Sequence, residues 1–219
     1  MNKRMKTTAS LLAAANILGL FCVNSVAAEE TKKGNNYIQG QLGMFFPIGD
    51  VEDADFDNGF NGAFSYGRYL TENLKVEGTL DMSGTDRDVS GANATAGRYS
   101  HEDVLGVSGV LVSLKGEYPV GQVDLFGGLG VGIYGISLVS EIDSQSLGSF
   151  DTDDCDTVFG AQASIGANYN LTKRFFLGVE GKYRWTDDAE ISMKTAGIPI
   201  TYEGDASGYS MAFTAGWRF

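Results

Sequence analysis

The 219-residue sequence sets 28 acidic side chains against 16 basic ones, a formal charge of -12. A balance this acidic repels phosphate backbones, so nucleic-acid binding has no electrostatic footing. With 30 glycines and 3 prolines, glycine is at about twice its usual share. Mean hydropathy is -0.09, an average that hides any element in which apolar and polar residues alternate.

At the start, Lys3, Arg4 and Lys6 precede an apolar stretch from Leu11 to Val23 and then Ser25-Val26-Ala27-Ala28. That order of basic, apolar and small residues is a secretory signal. Residues 1–28 are therefore expected to be removed, leaving 29–219 as one domain. The apolar core is shorter than the roughly 20 residues of a membrane-spanning helix. Phe21 is too bulky for the residue that precedes a lipid-bearing cysteine, so Cys22 is not read as one. Removal takes away three positive charges and no negative ones, moving the charge from -12 to -15. Cys155 is then the one cysteine, and an internal disulfide or cysteine-based metal site is excluded.

No long apolar run follows the signal, and no spanning helix is expected. Instead, segments of period two recur. Tyr37–Phe46 and Phe60–Tyr69 are weak examples, whereas at 74–83 Leu74, Val76, Leu80 and Met82 alternate with Lys75, Glu77, Thr79 and Asp81. Val104–Tyr118 is again weak. At 123–138 Leu125, Leu129, Val131 and Ile133 share one face, and at 157–169 so do Phe159, Ala161, Ala163, Ile165, Ala167 and Tyr169. The clearest case is Phe175–Trp185, where Leu177, Val179 and Tyr183 alternate with Glu180, Lys182 and Arg184. Ten residues at about 3.3 Å each, tilted near 45°, rise about 23 Å, which matches a lipid-facing band between two aromatic girdles. The eighth segment places Tyr209, Met211, Phe213, Ala215, Trp217 and Phe219 opposite Ser210, Ala212, Thr214, Gly216 and Arg218.

The connections alternate in length. Those at about 47–59, 84–103, 140–156 and 187–206 are long, while 71–73, 119–122 and 170–174 are turns. Long loops on one side, tight turns on the other and an even strand count define an all-β, eight-stranded antiparallel transmembrane barrel with both termini in the periplasm. Closing the sheet leaves no backbone edge exposed to lipid. The last strand and its terminal Phe219 resemble the assembly signal of outer-membrane barrels, with Tyr209, Phe213, Trp217 and Phe219 as its apolar positions. Over essentially the whole mature length the sequence resembles the small eight-stranded outer-membrane barrels, the OmpA-like transmembrane domain and the opacity-type surface proteins of the porin-like superfamily. The resemblance implies an integral place in the bacterial outer membrane, contact with its lipids and lipopolysaccharide, and recognition by the barrel-assembly machinery. With no residues after Phe219, it is not expected to extend to a periplasmic peptidoglycan-binding domain.

Eight strands enclose a lumen just wide enough for side chains to fill it. The expected filling is a charge network of Lys75, Glu77, Asp81, Asp124, Glu180, Lys182 and Arg184, with Gln39 and Gln41 beside it; the two signs neutralise one another because an unpaired buried charge is expensive. A narrow or gated ion path along these charges is the alternative. Gly130, Gly132 and Gly135 spell a formal GxGxxG, but no helix opens after them as a dinucleotide site requires. They are read as strand glycines whose inward members make room for larger neighbours, and no cofactor is expected.

Two acidic runs, Asp50–Asp57 and Asp151–Asp156, fall in expected outer loops. Asp53, Asp55 and Asp57 begin like a calcium loop, yet Gly59 comes one place late and Phe64 replaces the closing Glu. These runs are read as solvated loops, with weak divalent bridging to lipopolysaccharide phosphates as the sharper alternative and no protein metal site expected. His101, the one histidine, lies beside Ser100, Glu102 and Asp103. A lipid-modifying hydrolase built on it is a second alternative, but adjacent residues on an extended chain do not make a triad. No enzyme is expected; the four outer loops are expected to meet an external ligand or host surface, the third and fourth above all.

Overall fold

Side chains that alternate along a strand face opposite sides of a sheet, and here the sheet closes so that the two sides become a lumen and an outer wall. The computed structural model describes residues 36–93, 97–144, 148–195 and 198–219. The signal sequence expected at 1–28 lies outside them. Eight strands form the barrel: β1 (Asn36–Pro47), β2 (Gly59–Tyr69), β3 (Leu74–Asn93), β4 (Gly97–Val120), β5 (Val123–Ser144), β6 (Gly148–Asn170), β7 (Phe175–Thr186) and β10 (Gly208–Arg218). Each pairs antiparallel with its chain neighbour in the barrel, and β1 pairs with β10 to close the ring. At that seam the Asn36 N–H donates to the Phe219 carbonyl at 3.0 Å and the Phe219 N–H returns to Asn36 at 2.9 Å. A hairpin of β8 (Ala189–Thr195) and β9 (Ile198–Gly204) forms a separate two-stranded sheet, and a one-turn helix, α1 (Asp50–Asp53), lies between β1 and β2. No helix among the described residues is long and apolar enough to cross a membrane.

At one end the links are tight. Two residues join β4 to β5, and Gly121 there has φ 66°, a left-handed backbone that a residue with a Cβ adopts at a cost. Between β6 and β7 the Thr172 hydroxyl accepts the N–H groups of Arg174 and Phe175, a local turn device. Opposite this end, the structure departs from the expected long loops. Strands β3 to β6 run on through most of 84–103 and 140–156 as paired hairpins. The segment 187–206 supplies β8 and β9. The tall strands stand on one side of a barrel whose other strands have 11 or 12 residues.

Outward side chains explain where the barrel sits. Leu42, Phe64, Val112, Leu114, Leu129, Val131, Ile165, Leu177, Val179, Met211 and Phe213 are all exposed on the outer wall. Toward the tight-turn end the band finishes in Tyr118, Tyr169, Trp217 and Phe219, and at the other in Phe60, Phe159, Tyr183, Trp185 and Tyr209. An apolar belt this large, edged by aromatics, is a lipid-facing surface. Beyond it the outward positions of β3, β4 and β5 turn acidic at Asp86, Asp88, Glu102 and Glu141.

Candidate functional site

Five cations and five carboxylates fill the lumen between the tight-turn end and its middle: Lys75, Lys115, Lys182, Arg184 and Arg218 against Glu77, Asp81, Glu117, Asp124 and Glu180, all buried. The seven residues singled out from the sequence all point inward, and closure of the ring supplies partners from distant strands. Arg218 of β10 reaches Asp124 of β5 at 3.1 Å and Asn170 at 2.5 Å. Lys75 meets Glu117 at 2.8 Å, while Lys115 bridges Glu77 and Glu180, each at 2.8 Å. Asp81 takes Lys182 at 2.5 Å and Arg184 at 3.6 Å. Gln39 and Gln41 donate their amides to Glu180, and the Tyr37 hydroxyl donates to Glu77 at 2.5 Å.

Lys115, Glu117, Arg218 and Tyr37 belong to this network but were not singled out in the sequence. Arg218 already stood on the polar face of the last strand. Lys115 and Glu117 were hidden because β4 carries apolar residues on both faces, so its alternation names no inner side.

Aromatic rings close the tight-turn end. Tyr37, Tyr69 and Phe176 are buried against one another, with the Arg218 guanidinium 4.5 Å from the centre of the Phe176 ring. Glycines make the room. A Cβ on Gly67 would overlap the Tyr37 ring, and one on Gly216 the Phe176 ring. Of the glycine run in β5, Gly130 and Gly132 face inward beside Ser113 and Leu111, where a Cβ would collide; they are strand glycines with no helix after them.

The other end of the lumen has the opposite chemistry. Leu105, Val107 and Leu111 of β4, Tyr134, Ile136 and Leu138 of β5 and Val158 of β6 turn inward to form one buried apolar cluster. Val51 of α1, Ala189 and Ile191 of β8 and Ala206 cover it from the loops, with Phe56 packed alongside. The cover is tied down by backbone partners. Thr186 Oγ1 accepts the Ala206 N–H at 2.8 Å, Ser207 Oγ accepts the Thr186 N–H at 3.2 Å, and Asp50 accepts the Asp205 N–H at 3.0 Å. Arg184 joins the two chemistries. Its Nε donates to the Ala206 carbonyl at 3.2 Å and its Nη1 to Ser83 at 2.9 Å, while the guanidinium stacks on Phe45 at 4.5 Å.

The expected loop residues lie on strands or beside them. His101 is on β4, half-buried, with Nε2 at 2.8 Å from both Ser140 Oγ and Asp103 Oδ1. Asp103 is also held by the Arg87 guanidinium. A serine hydrolase relay needs one imidazole nitrogen for the hydroxyl and the other for the carboxylate, whereas here one nitrogen serves both and Ser140 is buried. Cys155 is an exposed free thiol on β6. Among the described residues the acidic side chains that come together are Asp50, Asp188 and Asp205, whose carboxylate oxygens lie within 4.8 Å of one another; Asp53, Asp55 and Asp57 do not join them, and of the second acidic run the side chains of 151–153 lie outside the described residues. Asp156 accepts the N–H groups of Glu190, at 2.9 Å, and of Thr157, at 2.7 Å, and these hold its carboxyl below the usual carboxylate range.

Comparison with known proteins places this geometry. The family described as "Outer membrane protein beta-barrel domain" matches residues 13–219. Among solved structures the chain is similar to the outer membrane protein OprG of Pseudomonas aeruginosa, with 14% identity, 85% of this chain and 97% of that chain covered and a TM-score of 0.58. It is similar to Neisserial surface protein A, with 12% identity, coverage of 84% and 97% and a TM-score of 0.54. A major outer membrane protein of Thermus thermophilus gives 14% identity, coverage of 84% and 99% and a TM-score of 0.51. At these identities the likeness is one of fold. No curated protein matches the sequence.

Proposed function

The chain belongs to the outer membrane protein β-barrel family, and from that premise we propose that it is a sealed barrel whose outer connections make contacts at the cell surface. As a member of that family it is an integral protein of the bacterial outer membrane, in contact with lipid and lipopolysaccharide. The observation that carries the proposal is the double closure of the lumen. The aromatic cluster of Tyr37, Tyr69 and Phe176 lies at one end and the apolar plug at the other. Between them the five cations and five carboxylates are joined in buried ion pairs and shared bridges, so a permeating ion would have to break contacts each worth about 3–5 kcal/mol when one partner is lost.

What is left for function is the outside. Strands β5 and β6 continue past Ile133 and Phe159, which pair with each other at the belt's edge. From Ile133 to Ser144, at about 3.3 Å per residue, β5 runs on for roughly 35 Å. Contact residues concentrate on connections held by a rigid scaffold, and these hairpins, with the 187–207 segment, are the connections opposite the tight turns. In this proposal residues 1–28 are the export signal, and Tyr209, Phe213, Trp217 and Phe219 are read by the assembly machinery.

Planar-bilayer recording of the purified protein tests the sealed barrel. The expected result is no conductance. Conductance that disappears when Lys182 or Arg184 is neutralised would replace this reading with the narrow channel. Exchanging the tip of the β5–β6 hairpin or the 187–207 segment is expected to abolish any adhesion or binding phenotype while leaving the barrel folded; full retention with both exchanged would sink the surface role.

A further inference from the structure

At mid-lumen, just under the plug, Arg184 Nη2 and Tyr134 Oη are buried polar atoms without a hydrogen-bond partner. Both residues are at most 5% exposed. They are neighbours: the guanidinium carbon lies 5.5 Å from the centre of the Tyr134 ring, and the hydroxyl is within electrostatic range of both Arg184 and Asp81. A buried donor left unmade costs about 1–3 kcal/mol, more when charged, so two side by side require an acceptor.

Charge decides which acceptor. In this layer two cations, Lys182 and Arg184, share the single carboxylate of Asp81, with Lys182 the close partner at 2.5 Å and Arg184 distant at 3.6 Å. The layer therefore carries an excess of one positive charge, under an apolar roof that excludes bulk water. The layer below has the opposite imbalance, Lys115 serving both Glu77 and Glu180. Glu180 is four residues from Arg184 on β7, about 13 Å along the strand, and is taken by Lys115. A water would satisfy the orphan donors and leave the charge. Asn61 Oδ1 also has no partner, and it needs a donor, which a water beside an anion provides.

We propose that the lumen holds one small monovalent anion of the halide class, bound between Arg184 Nη2 and Tyr134 Oη beneath the plug. The site is independent of the surface role, since it requires only the closed lumen. Crystals of the detergent-solubilised protein grown in sodium bromide test it directly. An anomalous bromine peak beside Arg184 and Tyr134 is expected, and water density there without an anomalous signal overturns the proposal. In solution, the temperature at which the protein loses its compact gel mobility should be higher in bromide than in gluconate of equal ionic strength. Tyr134→Phe keeps the ring and removes one donor, so this bromide-dependent shift should shrink. Equal midpoints in the two salts for the unmodified protein would also overturn the proposal.

Discussion

The lower lumen and the plug face one problem, inward side chains cut off from water, and they answer it with opposite chemistry. Between Arg218 and Arg184 the filling is ionic and every carboxylate has a cation within 4 Å; from Leu111 outward it is largely apolar, up to the Asp103 group shared by Arg87 and His101. The difference follows from what each must hold together. The ionic part joins strands already fixed by the closed sheet, so precise pairing is possible and each error is expensive. The plug must hold segments from outside the barrel, α1 and the β8–β9 hairpin, for which non-directional apolar burial is enough.

The sharpest way to break the comparison is at Lys115. Lys115→Met removes the cation that bridges Glu77 and Glu180, and the loss should reach or exceed the roughly 3–5 kcal/mol of a broken buried pair. The expected outcome is a barrel that no longer resists SDS at room temperature, seen as the same gel mobility with and without boiling. The companion Glu77→Gln, Lys115→Met, Glu180→Gln triple variant should recover part of that resistance. If the single variant behaves as the parent protein, the network contributes no stability.

The plug should respond locally. Ile191→Ala removes a buried side chain that pins β8 to the barrel, a change that costs about 2–5 kcal/mol in a packed core. The cost should fall on the hairpin alone: protease cleavage within 187–207 is expected to accelerate while the barrel keeps its melting temperature. A parallel loss of barrel stability would mean that plug and network are one cooperative unit.

The outer wall sharpens the same division. Arg in place of Val179, which pairs with Ala167 and Phe213 well inside the belt, is expected to cost about 2–4 kcal/mol at mid-bilayer depth, read from urea titration of folding into lipid. The same change at Val139, exposed on the raised part of β5, should stay within about 0.5 kcal/mol, as surface substitutions do. Similar costs at both positions would place the membrane boundary higher than the aromatic belt suggests.

These regions also differ in how far they can be read without the structure. The barrel strands are legible where lipid imposes contrast, as in Phe175–Trp185 and Tyr209–Phe219, whose apolar face is the outer wall. Above the belt both faces are polar or mixed, so Thr85, Asp86, Arg87 and Asp88 show no period and read as a loop, although pairing with β4 keeps them a strand. The plug was hidden for the converse reason: Val110 and Leu111 are both apolar and face opposite sides, and in β5, where odd positions face out and even ones in throughout, the large apolar residues shift from the odd Leu129, Val131 and Ile133 to the even Tyr134, Ile136 and Leu138. That shift is the signal that could have revealed the plug. The ionic residues were legible as a face, but not as pairs, because Asp124 and Arg218 are 94 residues apart in the chain and meet only when the ring closes.

The smallest expected effect tests how the hairpin is tied at its base. Asp156 is exposed, and the N–H groups of Glu190 and Thr157 keep its carboxyl below the usual range. A carboxyl depressed in the folded state contributes its tether above its unfolded pKa of about 4. The contribution fades as pH falls through the lower folded value. Cleavage within 187–207 should therefore be constant from neutral pH to about pH 5 and rise only in stronger acid. Asp156→Asn should remove that acid dependence, while Ile191→Ala, which acts through packing, should raise cleavage at every pH. If both variants showed the same acid rise, the tether would lie elsewhere, with the Asp50 carboxylate that accepts the Asp205 N–H as the next group to replace.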